Sequence, residues 1–537
     1  MDNQSVNNDP PQQAQPPSDK VSKGEELKQT IDKYIDQGVA QQDKRTAQLL
    51  KGEIDKEGEV QEKKLPVWLE KFNAWHRRTM SDFIFMLWLA VVVGLFAGLA
   101  AYVFNRLIVI VSEIFLPHIR NDRINWWLIF VPLVGIVLAG IYTRYIIRTD
   151  LTHGVTRMMH SIYRGNFIFK RNLIYSPILG SSITLGLGGS AGSEGPIAIS
   201  GAAIGSNLGR WLQLKMPLVK VLVGCGAAAG ISGIFQSPVG GLLFTLEFLK
   251  MEIGTLSILA VMLSCLVAYG MVFLCNGCHL PTQFFPADSI NPDQYWAVVL
   301  LGFLCGLYSL YYSFIINYTD IIFIKLKNPW IRNILGGLGV GFCLMLFPSL
   351  YGVGYPVMSD IIHSQFDALA KGDIFPGLHI GPWTLIIVAL FILGIKCWAC
   401  GACNASGGVS SDFAPTLYAG AVAGFLFAYF SNTILHTHLP IPAFILLGMA
   451  AVMSGCIEAP MMTIFIVMNM GTDVAFLLAI IISVYSSYIT VRVMSHISGY
   501  QAKLARHLHW FHEHESYAPD SQDTGDASSS GTAPFQM

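Results

Sequence analysis

From residue 83 onward the chain alternates apolar runs with short polar breaks. The runs lie near 83–105, 125–147, 172–187, 196–213, 217–236, 239–250 and 255–275, then near 295–317, 331–348, 378–399, 415–431, 441–455, 461–469 and 473–494. A helix needs roughly 20 apolar residues to cross a bilayer, and several runs are shorter and interrupted by Gly and Pro. That pattern predicts broken or re-entrant helices lining a site between full crossings. The fold class is therefore an all-α polytopic membrane protein. A polar break around 278–293 divides the runs into two sets, giving a tail over 1–79, membrane halves over 80–290 and 291–496, and a short tail over 497–537.

Composition agrees. The 537 residues are 53% hydrophobic and 13% charged, with mean hydropathy +0.50, whereas soluble chains carry about 25% charge. The 51 glycines suit close helix packing in lipid. A net charge of −1 gives no argument for nucleic acid. Residues 1–19 are rich in Asn, Gln, Pro and Ser and are expected to be disordered. Residues 20–64 are charged, with Leu27, Ile31, Tyr34 and Ile35 on one possible helical face, read as a solvated helix packing on its own membrane domain or on a dimer mate. No cleavable signal peptide is visible. Lys63, Lys64, Lys71, Arg77 and Arg78 precede the first run and put the N-terminus in the cytoplasm, and Arg144, Arg148, Arg157, Arg164, Lys170 and Arg171 do the same for the second connection.

The stretch with most chemistry is Gly188-Gly189-Ser190-Ala191-Gly192-Ser193-Glu194-Gly195-Pro196. A glycine run ending in Pro reads as a loop entering a helix. The first-turn N–H groups of such a helix lack internal partners and bind anions. A glutamate beside them inside apolar sequence is a functional candidate, with a paired structural carboxylate as the alternative. The spacing recurs as Gly407-Gly408 through Phe413-Ala414-Pro415, with further glycines five and nine residues past each Pro (Gly201, Gly205; Gly420, Gly424). A second block, Gly226, Ser232, Gly233 and Pro238, recurs as Gly448, Ser454, Gly455 and Pro460; the offsets are 219 and 222 residues. Duplicated halves with broken helices place a site at their interface, and spacing alone leaves the halves parallel or inverted.

Gly192-Ser193-Glu194-Gly195-Pro196 resembles the G-[KR]-E-G-P motif of the CLC family of chloride channels and chloride/proton antiporters. Gly407-Gly408 through Asp412-Phe413-Ala414-Pro415 resembles its G-G-x-F-x-P motif, Gly226 through Pro238 and Glu247 the segment after the gate, and Tyr500 through Arg506 the segment of its inner-gate tyrosine. The resemblance covers about 83–506. It implies two inverted repeats around a midplane anion site and a homodimer with one pathway per subunit. Both termini would be cytoplasmic, in a bacterial-type inner membrane, with no cofactor. Glu194 would be the gate. The N–H groups of Gly195, Phe413 and Ala414 would face the anion, and the Tyr500 hydroxyl would donate to it, the alternative for Tyr500 being a membrane-interface anchor.

Four positions depart from the family. Ser193 replaces a basic residue. Thr152-His153-Gly154-Val155-Thr156 stands where the family has G-S-G-I-P, so either His153 or Thr152 would donate to the anion. Asp412 replaces an apolar residue and would repel anions, carry a proton, or cap its helix; the cap is favoured. Phe248 stands where antiporters carry an inward-facing glutamate, leaving Glu252 and His153 as substitute proton groups. Phe248 favours a channel or uncoupled transporter for chloride and other small monovalent anions. The alternative is chloride/proton antiport by a non-standard path, and from another class a membrane metalloenzyme using Cys397, Cys400 and Cys403 with His507, His509, His512 and His514.

Overall fold

The structure, a computed structural model, describes residues 81–498 apart from 120–124, 150, 152–153, 164, 166, 252–253, 279–289, 371–380 and 471–475. The expectations for the N-terminal tail and for Tyr500, Thr152, His153, Glu252 and the four C-terminal histidines fall outside the described residues.

Sixteen α-helices are described. Eight come from the first half: α1 (Asp82–Glu113), α2 (Phe130–Ile141), α3 (Gly154–Tyr163), α4 (Ser176–Gly186), α5 (Glu194–Trp211), α6 (Met216–Phe235), α7 (Pro238–Leu243) and α8 (Thr255–Cys275). Eight come from the second: α9 (Tyr295–Ile324), α10 (Pro329–Leu346), α11 (Tyr355–Ile362), α12 (Pro382–Ala405), α13 (Phe413–Ile434), α14 (Ile441–Ile457), α15 (Pro460–Met468) and α16 (Leu477–Ser498). Among the described residues, nine helical stretches are long and apolar enough to cross a membrane, so the chain is a multi-pass membrane protein. The packing repeats as the sequence does. α5 lies on α6 as α13 lies on α14, and α1 packs on α8 and α6 as α9 packs on α16 and α14. Pairs α2–α10 and α7–α15 join the halves.

Glycine makes these crossings possible. A Cβ on Gly226 would meet the Gly201 carbonyl, and one on Gly448 would meet the Gly420 carbonyl. The glycines that recur after each Pro are therefore points where two backbones touch, as expected where helices associate in lipid through van der Waals packing. Large apolar side chains such as Trp88, Phe96 and Phe303 remain on the outside, where hydrocarbon replaces water as solvent.

Two helices were not anticipated. Gly154–Tyr163 and Tyr355–Ile362 are only 10 and 8 residues long, and their polar content hides them from a search for apolar runs.

Candidate functional site

The site is built where the two repeated loops meet. Gly188 and Gly407 adopt φ of +85° and +108°, a left-handed conformation that costs glycine least. The following glycines, Gly189 and Gly408, donate N–H groups back to the carbonyls of Thr184 (2.8 Å) and Cys403 (3.0 Å), closing α4 and α12. A Cβ on either would lie 2.6 Å from that same carbonyl oxygen. Each Gly-Gly pair thus turns the chain sharply from one helix towards the head of the next. The loops then pair: Gly192 N–H donates to Ser411 O at 2.7 Å, and Ser411 N–H returns to Gly192 O at 3.0 Å. This bridge holds the heads of α5 and α13 together.

Glu194, the first residue of α5, is fully buried at that junction. Its Oε2 accepts from the Ser411 hydroxyl at 3.0 Å and its Oε1 from the Tyr355 hydroxyl at 3.3 Å. The backbone of Ala414 in the first turn of α13, and that of Glu194 itself, also hydrogen-bond the carboxylate. All these partners are hydroxyls and amides. The carboxylate therefore sits where first-turn N–H groups and a positive helix end would otherwise receive an anion.

The other predicted residues take definite places. Gly195 N–H does not face an open site; it donates to Ser411 Oγ at 3.1 Å. Asp412 occupies the N-cap position of α13 but makes no side-chain cap, which corrects the favoured capping role. Its Oδ1 instead accepts from the Cys400 thiol at 3.2 Å and from the Asn404 side-chain amide. These partners lie on the preceding helix, which draws the carboxylate away from the amides it could have capped. Ser193 is buried. Phe248 stacks on Phe244 at 5.2 Å and meets Phe413 edge-on at 5.0 Å, so an aromatic cluster fills the neighbourhood of the missing glutamate. Glu247 accepts from Met461 N–H (3.1 Å) and Met462 N–H (2.7 Å), and so caps α15. The cysteines do not converge. Cys397 donates to Leu393 O, Cys400 to Asp412, and Cys403 lies against Ser410. No group of three His, Cys, Asp or Glu among the described residues could hold a metal, so the metal reading has no geometric support.

Four features escape motif reading. Tyr355 and Ser411 contact Glu194 directly. A cavity of about 320 Å³ lies beside Ser411, Asp412 and Phe413, and Phe248 and Glu458 also line it. Lys396 is wholly buried in α12, and its Nζ donates to Ser190 Oγ at 2.8 Å. Its one signal in the sequence is a lone cation within the apolar run 378–399.

The sequence also matches a family profile described as "Voltage gated chloride channel" over residues 134–492. The chain belongs to the voltage-gated chloride channel family, CLC. Among CLC relatives, a "Putative chloride channel protein ClcB-like" from Ralstonia nicotianae is 28% identical over 390 residues, covering 71% of this chain and 86% of the relative. A "Voltage-gated ClC-type chloride channel ClcB" from Citrobacter koseri is 25% identical over 434 residues, covering 78% and 99%. Two solved structures share the CLC fold, each with a TM-score of 0.62. A CLC-type fluoride/proton antiporter is 20% identical, covering 76% of this chain and 96% of that one. A slow cyanobacterial Cl⁻/H⁺ antiporter is 19% identical, covering 78% and 96%. The inverted-repeat, broken-helix fold of this CLC member is thereby accounted for.

Proposed function

We propose that this CLC member moves chloride, and with it other small monovalent anions, across the membrane, with Glu194 as the gate. The observation that carries the reading is the carboxylate of Glu194 lying on donors at the head of α13, held by Ser411 and Tyr355. A group that occupies an anion seat on a single side chain is suited to exchange with the ion. The names of the relatives point to chloride, and those of the structural neighbours to antiport of a halide against protons. Phe413 and Ala414 belong to this seat, and Gly195 supports it through Ser411. By the family resemblance Thr152 or His153 and the Tyr500 hydroxyl would also donate to the anion, and the protein is a homodimer with a pathway in each subunit. It resides in a bacterial-type inner membrane with both termini in the cytoplasm.

Phe248 supports movement without fixed proton exchange, as a channel or uncoupled transporter. A second reading, proton exchange by another route, is favoured by the cavity. Asp412 and Glu458 line it together with Ser411, whose hydroxyl touches Glu194. Waters in such a cavity would link a carboxylate to the gate although Phe248 carries no proton. Recording chloride efflux from loaded liposomes together with external pH separates the two. Chloride flux with no proton movement supports the first reading; proton movement at fixed stoichiometry replaces it with the second; absence of any anion flux from folded protein removes both.

A further inference from the structure

Ser411 stands opposite Gly192 in the bridge between the two loops, and the 219-residue offset of the repeat maps one onto the other. The bridge itself is made of backbone groups alone, N–H to carbonyl in both directions. Gly192 enters it with no side chain at all. The hydroxyl at 411 is therefore not needed to pair the loops, and it has no counterpart at the equivalent position of the first repeat.

Its two partners show its place. Ser411 Oγ accepts from Gly195 N–H at 3.1 Å and donates to Glu194 Oε2 at 3.0 Å. A hydroxyl carries one proton, and an amide N–H can only donate. The Gly195 bond thus uses Oγ as an acceptor and leaves its single proton for the position that the carboxylate fills. Gly192 keeps that position open, since a Cβ there would run into Glu194 Oε2 and lie 3.0 Å from Ser411 Oγ. Ser411 is buried, and it also lines the cavity beside Asp412 and Phe413. Once Glu194 swings away, a buried donor that is already aimed loses its acceptor. Leaving such a donor unpaired is costly, and an anion in the vacated position removes that cost.

We infer that Ser411 is an anion-binding residue whose hydroxyl passes from the Glu194 carboxylate to the ion that replaces it, and that it selects small anions over large ones. A hydrogen bond to an ion is charge-assisted. Coulomb attraction falls with distance, and a larger ion holds its charge further from the donor. Chloride therefore gains more from this one fixed O–H than iodide does.

This inference rests on the reading of Glu194 as a gate on an anion seat, and its test keeps the two apart. Chloride and iodide binding are measured by calorimetric titration of the detergent-purified full chain carrying Glu194→Gln, which takes the competing carboxylate out of the comparison. The titrations are repeated with Ser411→Ala or Ser411→Cys added. Cys keeps an atom facing Gly195 N–H but is only a weak donor. The expected result for both is chloride binding about tenfold weaker, with iodide within about threefold of the Glu194→Gln protein. Chloride affinity that is unchanged without the hydroxyl overturns the proposal. So does a loss of equal size for the two ions, which marks a collapsed seat rather than a lost donor. If the alanine variant aggregates, the cysteine variant decides by the same criteria. No chloride binding by Glu194→Gln itself would instead remove the anion-seat reading.

Discussion

Glu194 is held by few bonds, and each can be weakened singly. The Tyr355 hydroxyl donates to the carboxylate from α11, and Phe would remove that donor while leaving the ring. A hydrogen bond to a charged group contributes about 1.5–3 kcal/mol, and at 3.3 Å this one belongs at the lower end. Tyr355→Phe should therefore free the gate and raise anion flux about tenfold; unchanged flux in reconstituted liposomes would make Tyr355 a structural contact. Ser411 is not equivalent, because its Oγ also accepts from Gly195 N–H. Ala at 411 would leave that buried amide unsatisfied, so a loss of stability would accompany any effect on the gate. Motif spacing located Glu194 because glycine and proline announce a helix mouth. It could not locate Tyr355, which reaches the site from a helix 161 residues away in sequence, nor foresee that the Asp412 carboxylate turns to Asn404 and Cys400 rather than to its own helix.

At the scale of elements, the repeat was readable because close backbone approach leaves a mark that sequence can show, namely glycine at fixed spacing. Gly201 against Gly226 and Gly420 against Gly448 are the physical meaning of the periodic glycines. Not every glycine carries this meaning. A Cβ at Gly270 in α8 would meet nothing within 4 Å. Gly226→Ala should destabilise the protein by about 1–3 kcal/mol through overpacking, whereas Gly270→Ala should be neutral or stabilise by up to about 1 kcal/mol through helix propensity. Thermal unfolding followed by fluorescence-detected size exclusion compares them directly, and equal melting temperatures would contradict the packing account. The short helices α3 and α11 stayed hidden for the opposite reason: they are held by neighbours rather than by an apolar run of their own, so hydropathy had nothing to register. Lys396 belongs here as well, since a search for spans reads through one charge where a search for buried ions would stop.

For the whole molecule, the question is whether anion movement is tied to proton movement. The cavity beside Asp412 and Glu458 offers a place for water next to Ser411, while the aromatic cluster of Phe244, Phe248 and Phe413 closes the neighbouring position. If liposomes record proton movement with chloride, Asp412→Asn should abolish the proton component and leave chloride flux within about threefold, a change of under 1 kcal/mol in barrier. Proton movement surviving in Asp412→Asn would send the route elsewhere, with Glu458 the remaining carboxylate of that cavity. Both outcomes presuppose that Glu194 closes the pathway when seated on α13. The most direct test of that claim is chloride efflux from liposomes carrying Glu194→Gln, measured from about pH 3.5 to 7.5 beside the parent, a range chosen to bracket ordinary carboxylate titration. The account predicts faster efflux in the variant and no dependence on pH, because a neutral amide cannot compete for the seat as a carboxylate does. A folded Glu194→Gln protein that passes no chloride, or that keeps the parent's pH profile, would contradict it.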